Sequence, residues 1–556
     1  MTAAGTGALV LVTRKIVKKY VPLADDWAII AHSHPDFAEP QSWFTKGFRD
    51  YFMPPAGLPA VGGAAFIRPV FNLTYWLCGL FSPPDSGRQL YVNYAAIGAC
   101  GGLTSLAITR AGGSQRTAVL MGSAAPLMPA LAPALSPLVY PCMGFDAVAA
   151  DIGLAAFLAF EADQPALAAG LLLIAVFTKE TVLPTAAALP ALFAMRSGRR
   201  LWREKSLFTT LAMLSAPAVL WFAARLAAFS RAELAGAYVL DDDPRGRVFR
   251  QLRIASKWPF SVETSTLVRE PGPSRDKVAV PPLLVANALT MGGALFQILT
   301  RVRRRELPAA EEVCFLSSYG FLQVAGTSQR YGVGLDAFLL ICLARWAREQ
   351  RAPSWPRGMV SAGVALGLAV TALQAVHRYR RLEANVLRYG VVGRKYIAAL
   401  AKFDASDTVV VLNDPVTWWM PVKWMARVMR IRANVVKVAD YPWSRDMLDA
   451  IRAPCEVRLH PPENSASPFR FTQSCGIDIL SSRARLPDER QVRVDYGDGL
   501  TIELESPTAA SMPASKHVGR WQEMRIFTGR KPVHLLYYDP RQETFRSVFV
   551  DASPDG

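Results

Sequence analysis

The sequence predicts a polytopic α-helical membrane protein with about ten or eleven transmembrane helices, followed by a C-terminal soluble domain of α/β or β-rich fold. Two observations predict it. Of the 556 residues, 51% are hydrophobic and only 19% are charged, whereas a soluble protein usually carries about 25% charged residues. The apolar residues also lie in runs of about 17 to 25, the length that crosses a hydrocarbon core as a helix.

The apolar runs place the membrane domain at residues 1–379. An additional segment, 65–81, is interrupted by Arg68 and Asn72, so its relation to the bilayer is ambiguous. The segment 24–64 between the N-terminus and this helix reads as the first outer loop. The predicted spans are 90–109, 117–136, 145–161, 165–178, 181–195, 207–229, 281–300, 309–327, 332–346 and 358–376.

The pattern changes from Tyr379 onward, where long apolar runs stop. Short strand-like segments follow, separated by proline, glycine and aspartate. They include Thr408–Leu412, Glu456–Leu459 and Val533–Tyr538. We therefore expect a separate soluble domain at 380–556.

The net charge of +17 is attributed to membrane topology. No stripe of interleaved basic and aromatic residues indicates a nucleic-acid partner, whereas cytoplasmic loops of membrane proteins accumulate Lys and Arg. If all the basic clusters lie in the cytoplasm, the spans between two successive clusters must come in pairs. It leaves 137–146, the region of Lys179 and Glu180, 230–280, 328–331 and the tail after 377 outside. We expect a bacterial inner (plasma) membrane protein with its C-terminal domain extracytoplasmic. The basic clusters are Arg110/Arg116, 196–205, 301–305 and 345–357.

The N-terminal segment allows two interpretations. Its first 24 residues are short and basic for a membrane span. If they do cross the bilayer, segment 65–81 must be a surface or partly inserted helix for the span count to close. Otherwise, the sequence begins part of the way into the first helix.

Two adjacent acids, Asp25 and Asp26, follow this segment. Acids at a membrane boundary are costly unless they bind a cation, accept a proton or face water. Trp43, Phe44 and neighbouring aromatic residues then alternate with charges, as in an interfacial amphipathic helix. Taken alone, the acidic pair is equally explained as two acids in a solvated loop.

In this order the motifs resemble those of the GT-C glycosyltransferases, which include the protein O-mannosyltransferases and the lipid A aminoarabinose transferases. The acidic pair and interfacial helix precede an Arg-Pro step at Arg68. Asp146 stands in a second outer loop just before a span, and Thr178-Lys179-Glu180 opens a later helix. Arg330-Tyr331 resembles the Arg-Tyr step near the end of the membrane domain. The resemblance covers roughly 20–376, and the poor first helix departs from it.

This resemblance implies an inverting transfer of a sugar from a polyprenyl-phosphate-linked donor to an extracytoplasmic glycolipid, polysaccharide or protein. The acceptor hydroxyl must lose a proton, for which a carboxylate within hydrogen-bond reach is the usual base. Asp25 is the predicted base, and Asp26 supports it or binds a cation. Asp146, with Glu180 as a second acidic residue, is predicted to orient the acceptor. A divalent cation held by Asp25, Asp26 and Asp146 is a candidate cofactor.

The leaving phosphate needs fixed cations near the membrane face. Arginine binds phosphate through two hydrogen bonds and lysine binds it as a point charge. Arg68, Lys179 and Arg330 are therefore the predicted ligands of the lipid phosphate, and Tyr331 is a hydrogen-bond donor to it.

Each of these residues also has a purely structural interpretation. Arg68 could snorkel to the interface, Lys179 and Glu180 could pair locally at a helix turn, Arg330 could be a flanking charge, and Asp146 could face water. Two other functional classes stay open. They are a transporter or flippase of lipid-linked precursors, and a non-catalytic envelope assembly protein.

Overall fold

The chain up to residue 400 is mainly helical. The computed structural model describes residues 10, 13–22, 25–41, 43, 67–130, 144–228, 260, 275–325, 333–348, 354–417, 422–437, 457–460, 469–473, 491–495, 500–505, 522–528, 531–539 and 542–552. Residues 13–19 are helical. The helices that follow are α1 Asp25–Ser33, α2 Pro69–Gly79, α3 Leu90–Arg110, α4 Gln115–Ala130, α5 Gly144–Glu161, α6 Pro165–Thr178, α7 Leu183–Ser197, α8 Lys205–Ala228, α9 Arg275–Arg303, α10 Ala310–Ala325, α11 Val333–Arg348 and α12 Ser354–Leu400.

Four of the described helical segments are long and apolar enough to cross a membrane. They are Gly87–Arg110, Lys205–Ala228, Pro281–Arg303 and Trp355–Leu373, and Pro165–Thr178 is a shorter apolar helix. These helices support the expected membrane protein. Every predicted span from 90 to 376 coincides with a helix, while the number of crossings and their orientation stay predictions.

The basic clusters meet at one end of the helix bundle. Their contacts join different helices of the bundle. They are Arg110 Nη1 to the Leu158 carbonyl at 3.0 Å, Arg196 to Glu161 at 3.0 Å, Arg301 to Glu312 at 2.9 Å, and Arg345 to Glu311. Lys179, directly after α6, pairs with Asp146 in the first turn of α5. These helix ends are the ones that carry no basic cluster.

Segment 65–81 forms the short helix α2, which has 11 residues. At 1.5 Å per residue it is about 17 Å long, roughly half of a hydrocarbon core. Leu73, Leu77 and Phe81 are exposed at or beyond this helix. The length fits a surface or partly inserted helix rather than a span. The interfacial helix predicted after Trp43 lies outside the described residues.

The predicted domain boundary at 379/380 falls inside α12, which runs unbroken for 47 residues. Its apolar part, Trp355–Leu373, matches the last predicted span. Beyond it the helix is amphipathic, and Val386, Tyr389 and Tyr396 are buried along one face. The apolar stretch therefore ends before the helix does, and the division into two domains stays a prediction.

The C-terminal region holds two sheets, as the strand-like segments predict. In the first, the order is β2-β1-β8-β9, with β1 parallel to both β2 and β8 and β9 antiparallel to β8. The second is antiparallel, in the order β3-β4-β7-β6-β5. The strands are β1 Thr408–Val411, β2 Asn434–Lys437, β3 Val457–His460, β4 Phe469–Gln473, β5 Gln491–Asp495, β6 Thr501–Glu505, β7 Gln522–Phe527, β8 Val533–Asp539 and β9 Thr544–Val550.

One aromatic-rich core joins this first sheet to the N-terminal helices. It contains Trp27 of α1, Phe71 of α2, Phe145 of α5, Tyr389 of α12 and Val409 of β1. The short helix α13, Val422–Val428, packs on α1, with the ring centroids of Trp424 and His32 4.4 Å apart. The sheet region is thus attached directly to the helix that begins with the acidic pair.

The amphipathic part of α12 gives a matched test of this attachment. Val391 is 41% exposed and its neighbour Val392 is 1% exposed. Val392→Ala should lower the free energy of unfolding by about 2 kcal/mol, because it deletes buried methyl groups and leaves a cavity. Val391→Ala, which has the same change in helix propensity, should stay within about 0.5 kcal/mol of the parent. Thermal unfolding in detergent measures both, and equal midpoints would contradict the packing of α12.

Candidate site at the opposite end from the basic clusters

Four predicted site residues meet at one end of the bundle. Arg68 caps α2, Asp146 lies in the first turn of α5, and Lys179 and Glu180 form the turn between α6 and α7. Arg68 has non-helical backbone angles, φ −136° and ψ 58°, and the α region is disfavoured for a residue that precedes proline. Lys179 is extended, with φ −157° and ψ 135°. In extended backbone successive side chains point in opposite directions, so Lys179 and Glu180 reach different partners.

Arg68 and Glu180 form a two-point ion pair. Arg68 Nε donates to Glu180 Oε2 at 2.9 Å, and Arg68 Nη2 donates to Glu180 Oε1. Their side chains are only 13% and 9% exposed. The planar guanidinium fork matches a carboxylate and fixes both orientations. This pair therefore holds the Arg68 side chain at the start of α2.

Lys179 pairs with Asp146 rather than with its neighbour Glu180. Lys179 Nζ lies 3.4 Å from Asp146 Oδ2, and both side chains are buried. Within the described part of the chain, neither carboxylate oxygen of Asp146 has a hydrogen-bond partner. The negative charge of Asp146 is balanced, but its capacity to accept hydrogen bonds is unused by the described residues. Its position in the first turn of α5 is favoured by the helix dipole.

The two ion pairs are electrostatically coupled through Glu180. Burial raises the pKa of this carboxyl, while the charges of Arg68 and then Lys179 lower it. The net result is a pKa below the ordinary value of 4.5. We call Arg68, Asp146, Lys179 and Glu180 the charge network; two positive and two negative charges cancel within it.

An aromatic contact fixes the start of α5 against α2. The ring centroid of Phe145 lies 3.7 Å from that of Phe71 and 4.8 Å from that of Tyr75. Gly144 lies so close to the Asn93 amide of α3 that any side chain there would overlap it. These contacts place Asp146, the next residue of α5, beside Lys179.

Asp26 lies on α1 and is fully buried. The hydroxyl of Tyr20, six residues earlier, donates a hydrogen bond to Asp26 Oδ2. Asp25 is the residue at which α1 begins. The neighbouring Trp27 shares the aromatic core with Phe71 and Phe145, so the acidic pair and the charge network both adjoin this core in the sequence.

Two predicted ligands, Arg330 and Tyr331, lie outside the described residues. Within the described ranges, no three His, Cys, Asp or Glu side chains are placed to hold a metal ion together. The cation site proposed for Asp25, Asp26 and Asp146 stays a prediction.

The sequence reasoning missed two features. It did not identify Tyr20 as the partner of Asp26, since nothing in the local pattern distinguishes a tyrosine six residues away. It also did not single out Asp336, a buried acid inside the apolar helix α11. An acid within a predicted span is itself a signal of function, so Asp336 could have been identified from the sequence.

No known family model matches the chain, and no curated protein matches it either. Among solved structures it is similar to the archaeal oligosaccharyltransferase AglB from Archaeoglobus fulgidus, determined with an inhibitory peptide and a dolichol-phosphate. The sequence identity is 13% and the TM-score is 0.36. The match covers 77% of this chain and 64% of that one, so this chain spans less than two thirds of its length.

Glu180→Gln should destabilise the protein by about 3 kcal/mol, because it leaves the Arg68 guanidinium buried without its counter-charge. The same substitution in the exposed pair of Arg200 and Glu204 should change stability by no more than about 0.5 kcal/mol. Thermal unfolding of the two variants in one detergent compares them directly. Equal effects would show that the buried pair contributes no more than a surface pair.

The loss of stability caused by Glu180→Gln should also depend on pH. Because the folded-state pKa of Glu180 lies below its ordinary value of 4.5, ionised Glu180 stabilises the fold above that value, and the contribution is lost as pH falls through the folded-state pKa. The difference in unfolding midpoint between parent and variant should therefore be full at pH 7 and shrink below pH 4.5. A constant difference across this range would contradict the assignment.

Proposed function

We propose that this chain is an integral membrane glycosyltransferase. It transfers a sugar from a polyprenyl-phosphate-linked donor to an extracytoplasmic glycolipid, glycan or protein, with inversion at the anomeric carbon. The observation that carries the proposal is the charge network. Its four residues come from three separate stretches of the chain, were singled out together from the sequence, and meet at the end of the bundle away from the basic clusters.

The network supports a role in binding the donor phosphate. In the reaction the bond between the anomeric carbon and the phosphate oxygen breaks, and the phosphate takes the bonding electrons. Arg68, oriented by Glu180, and Lys179, beside Asp146, supply two fixed cations to stabilise that charge. Because they are already in place in a water-poor site, little reorganisation is needed as the charge develops.

The acidic residues supply the base and the acceptor site. Asp25 removes the proton of the acceptor hydroxyl as its oxygen attacks the anomeric carbon. Asp26, held by Tyr20, is a positioning residue that fixes the start of α1. Asp146, whose oxygens have no hydrogen-bond partner among the described residues, accepts a hydrogen bond from a second group of the acceptor.

The orientation of the protein follows from its basic clusters. We place their end of the bundle in the cytoplasm by the positive-inside rule, in the inner membrane of a bacterium. The charge network, α1 and the two sheets are then extracytoplasmic. The contact of α13 with α1 supports a role of the sheet region in binding the acceptor.

A transporter or flippase of lipid-linked precursors is the second candidate. One observation favours it: Asp151 and Asp336 are buried within helices of the bundle, and buried acids at membrane depth are typical of transport proteins. Turnover of a lipid-linked sugar by the purified chain, without a second compartment, separates the two classes, because a transporter would leave the glycosidic bond intact.

Asp25→Asn should lower the turnover number about 100-fold or more, the usual contribution of a general base. Binding of the lipid-linked donor and the unfolding midpoint should be unchanged. Asp36→Asn, which changes an exposed acid downstream of α1, is the matched control and should keep full activity. Full glycosyl transfer by both Asp25→Asn and Asp26→Asn would show that the catalytic assignment is wrong.

The phosphate-binding role of Lys179 can be separated from its structural role. Lys179→Gln alone leaves Asp146 buried without its counter-charge and should be unstable. The double variant Lys179→Gln/Asp146→Asn should recover the unfolding midpoint while the KM for the lipid-linked donor stays about tenfold higher, the loss of one charge-assisted hydrogen bond.

Asp146→Asn alone should lower the unfolding midpoint, because it leaves Lys179 buried without its counter-charge, but it keeps the lysine and should raise the donor KM less than the double variant. If the double variant regains both stability and the parent donor KM, the pair is structural and Lys179 does not bind the phosphate.

A further inference from the structure

Asp336 is a buried acid that the proposed reaction does not use. It lies in the first turn of α11, and its side chain is 0% exposed. Among the described residues, neither of its carboxyl oxygens has a hydrogen-bond partner. Its neighbours along the helix, Ala337 and Phe338, belong to the apolar core of the bundle. Asp336 is therefore inside the protein rather than at its surface.

Two more polar groups lie on the helices beside it. Asp151 of α5 is 8% exposed, and its Oδ1 has no hydrogen-bond partner in the part of the chain that the structure describes. The Cys100 thiol of α3 is fully buried and is close enough to Asp151 and Asp336 to interact electrostatically with both. Helices α3, α5 and α11 pack against one another in all three pairs. Three acidic or thiol groups thus share the interior of one helix triplet.

The basic groups of the surrounding helices are elsewhere. Arg345, on α11 itself, is nine residues beyond Asp336, about 14 Å along the helix, and pairs with Glu311 of α10. Arg116 of α4 and Arg357 of α12 lie in the basic clusters at the far end. Within the described parts of the chain, Asp336 forms no ion pair with any of them.

An ionised carboxylate in such a place would be costly, because it has lost its water without gaining a cation or a hydrogen-bond donor. A metal ion would need more ligands, and the described residues hold no group of three acids, histidines or cysteines placed to bind one. We propose that Asp336 is a proton-binding site in the interior of the helix bundle, with Cys100 and Asp151 as its polar neighbours. The ligand is a proton, and the acid form is the occupied state.

The proposal is independent of glycosyl transfer, since Asp336 is not assigned to the charge network or to the acidic pair. Its test can therefore fail while the proposed function stands. The probe is dicyclohexylcarbodiimide, an apolar reagent that reaches the membrane interior. The acid O–H adds across one C=N bond: the carboxyl oxygen bonds to the central carbon and the proton moves to nitrogen. Transfer of the acyl group to nitrogen then gives a stable N-acylurea, and no group leaves.

The full chain, in membranes at pH 7, should carry this adduct on Asp336, located by mass spectrometry of its peptides. Asp336→Asn should abolish the adduct at this position. Asp163, which is exposed at a turn and has a φ of 54°, provides the control. Asp163→Asn suits that left-handed backbone and should leave labelling of Asp336 unchanged.

Thermal unfolding provides a second readout. Asn has the shape and neutrality of a protonated Asp, so Asp336→Asn should keep the midpoint within about 2 °C of the parent. If Asp336 were ionised and paired with a cation, the same change would leave that cation uncompensated and lower the midpoint as Glu180→Gln does. Either a lowered midpoint or the absence of an adduct on Asp336 overturns the proposal.

Discussion

The cost of burying charge governs the end of the bundle where the candidate site lies. Arg68, Lys179, Asp146 and Glu180 are largely withdrawn from water, and each is tolerated there because a partner of opposite charge is in contact. Since the partners belong to α2, to α5 and to the turn between α6 and α7, the pairing fixes the relative positions of these elements. The extended backbone at Lys179 makes the arrangement possible, because it sends two adjacent side chains to two different helices.

The aromatic core beside the charge network connects these helices with the first sheet. Phe71 and Phe145 pack at the start of α2 and α5, and the same cluster continues through Trp27 to Tyr389 and to the first sheet. Tyr389 also donates a hydrogen bond to the carbonyl of Val416, which follows β1. Thus the first sheet, α1 and the adjoining ends of α2, α5 and α12 share one core.

Hydropathy was sufficient to predict the helices from 90 to 376 and the alternation of strands and turns in the tail, because both depend on local composition. It could not predict that α12 continues to Leu400, since an amphipathic face becomes visible only when its partner, the first sheet, is known. The site residues Arg68, Asp146, Lys179 and Glu180 were identified from motifs, but their pairing was not, because adjacency in sequence suggested Lys179 with Glu180. Tyr20 was missed because its hydrogen bond to Asp26 depends on how the chain folds between the two residues.

The length of α12 has a mechanical consequence. From the end of its apolar part at Leu373 to Leu400 the helix extends about 40 Å. Because a continuous helix bends little, a change in tilt of about 10° within the bilayer displaces its far end by about 7 Å. Helices tilt to match hydrophobic length to bilayer thickness. If Trp355–Leu373 crosses the bilayer, a change in lipid composition would move the residues of α12 that pack against the first sheet.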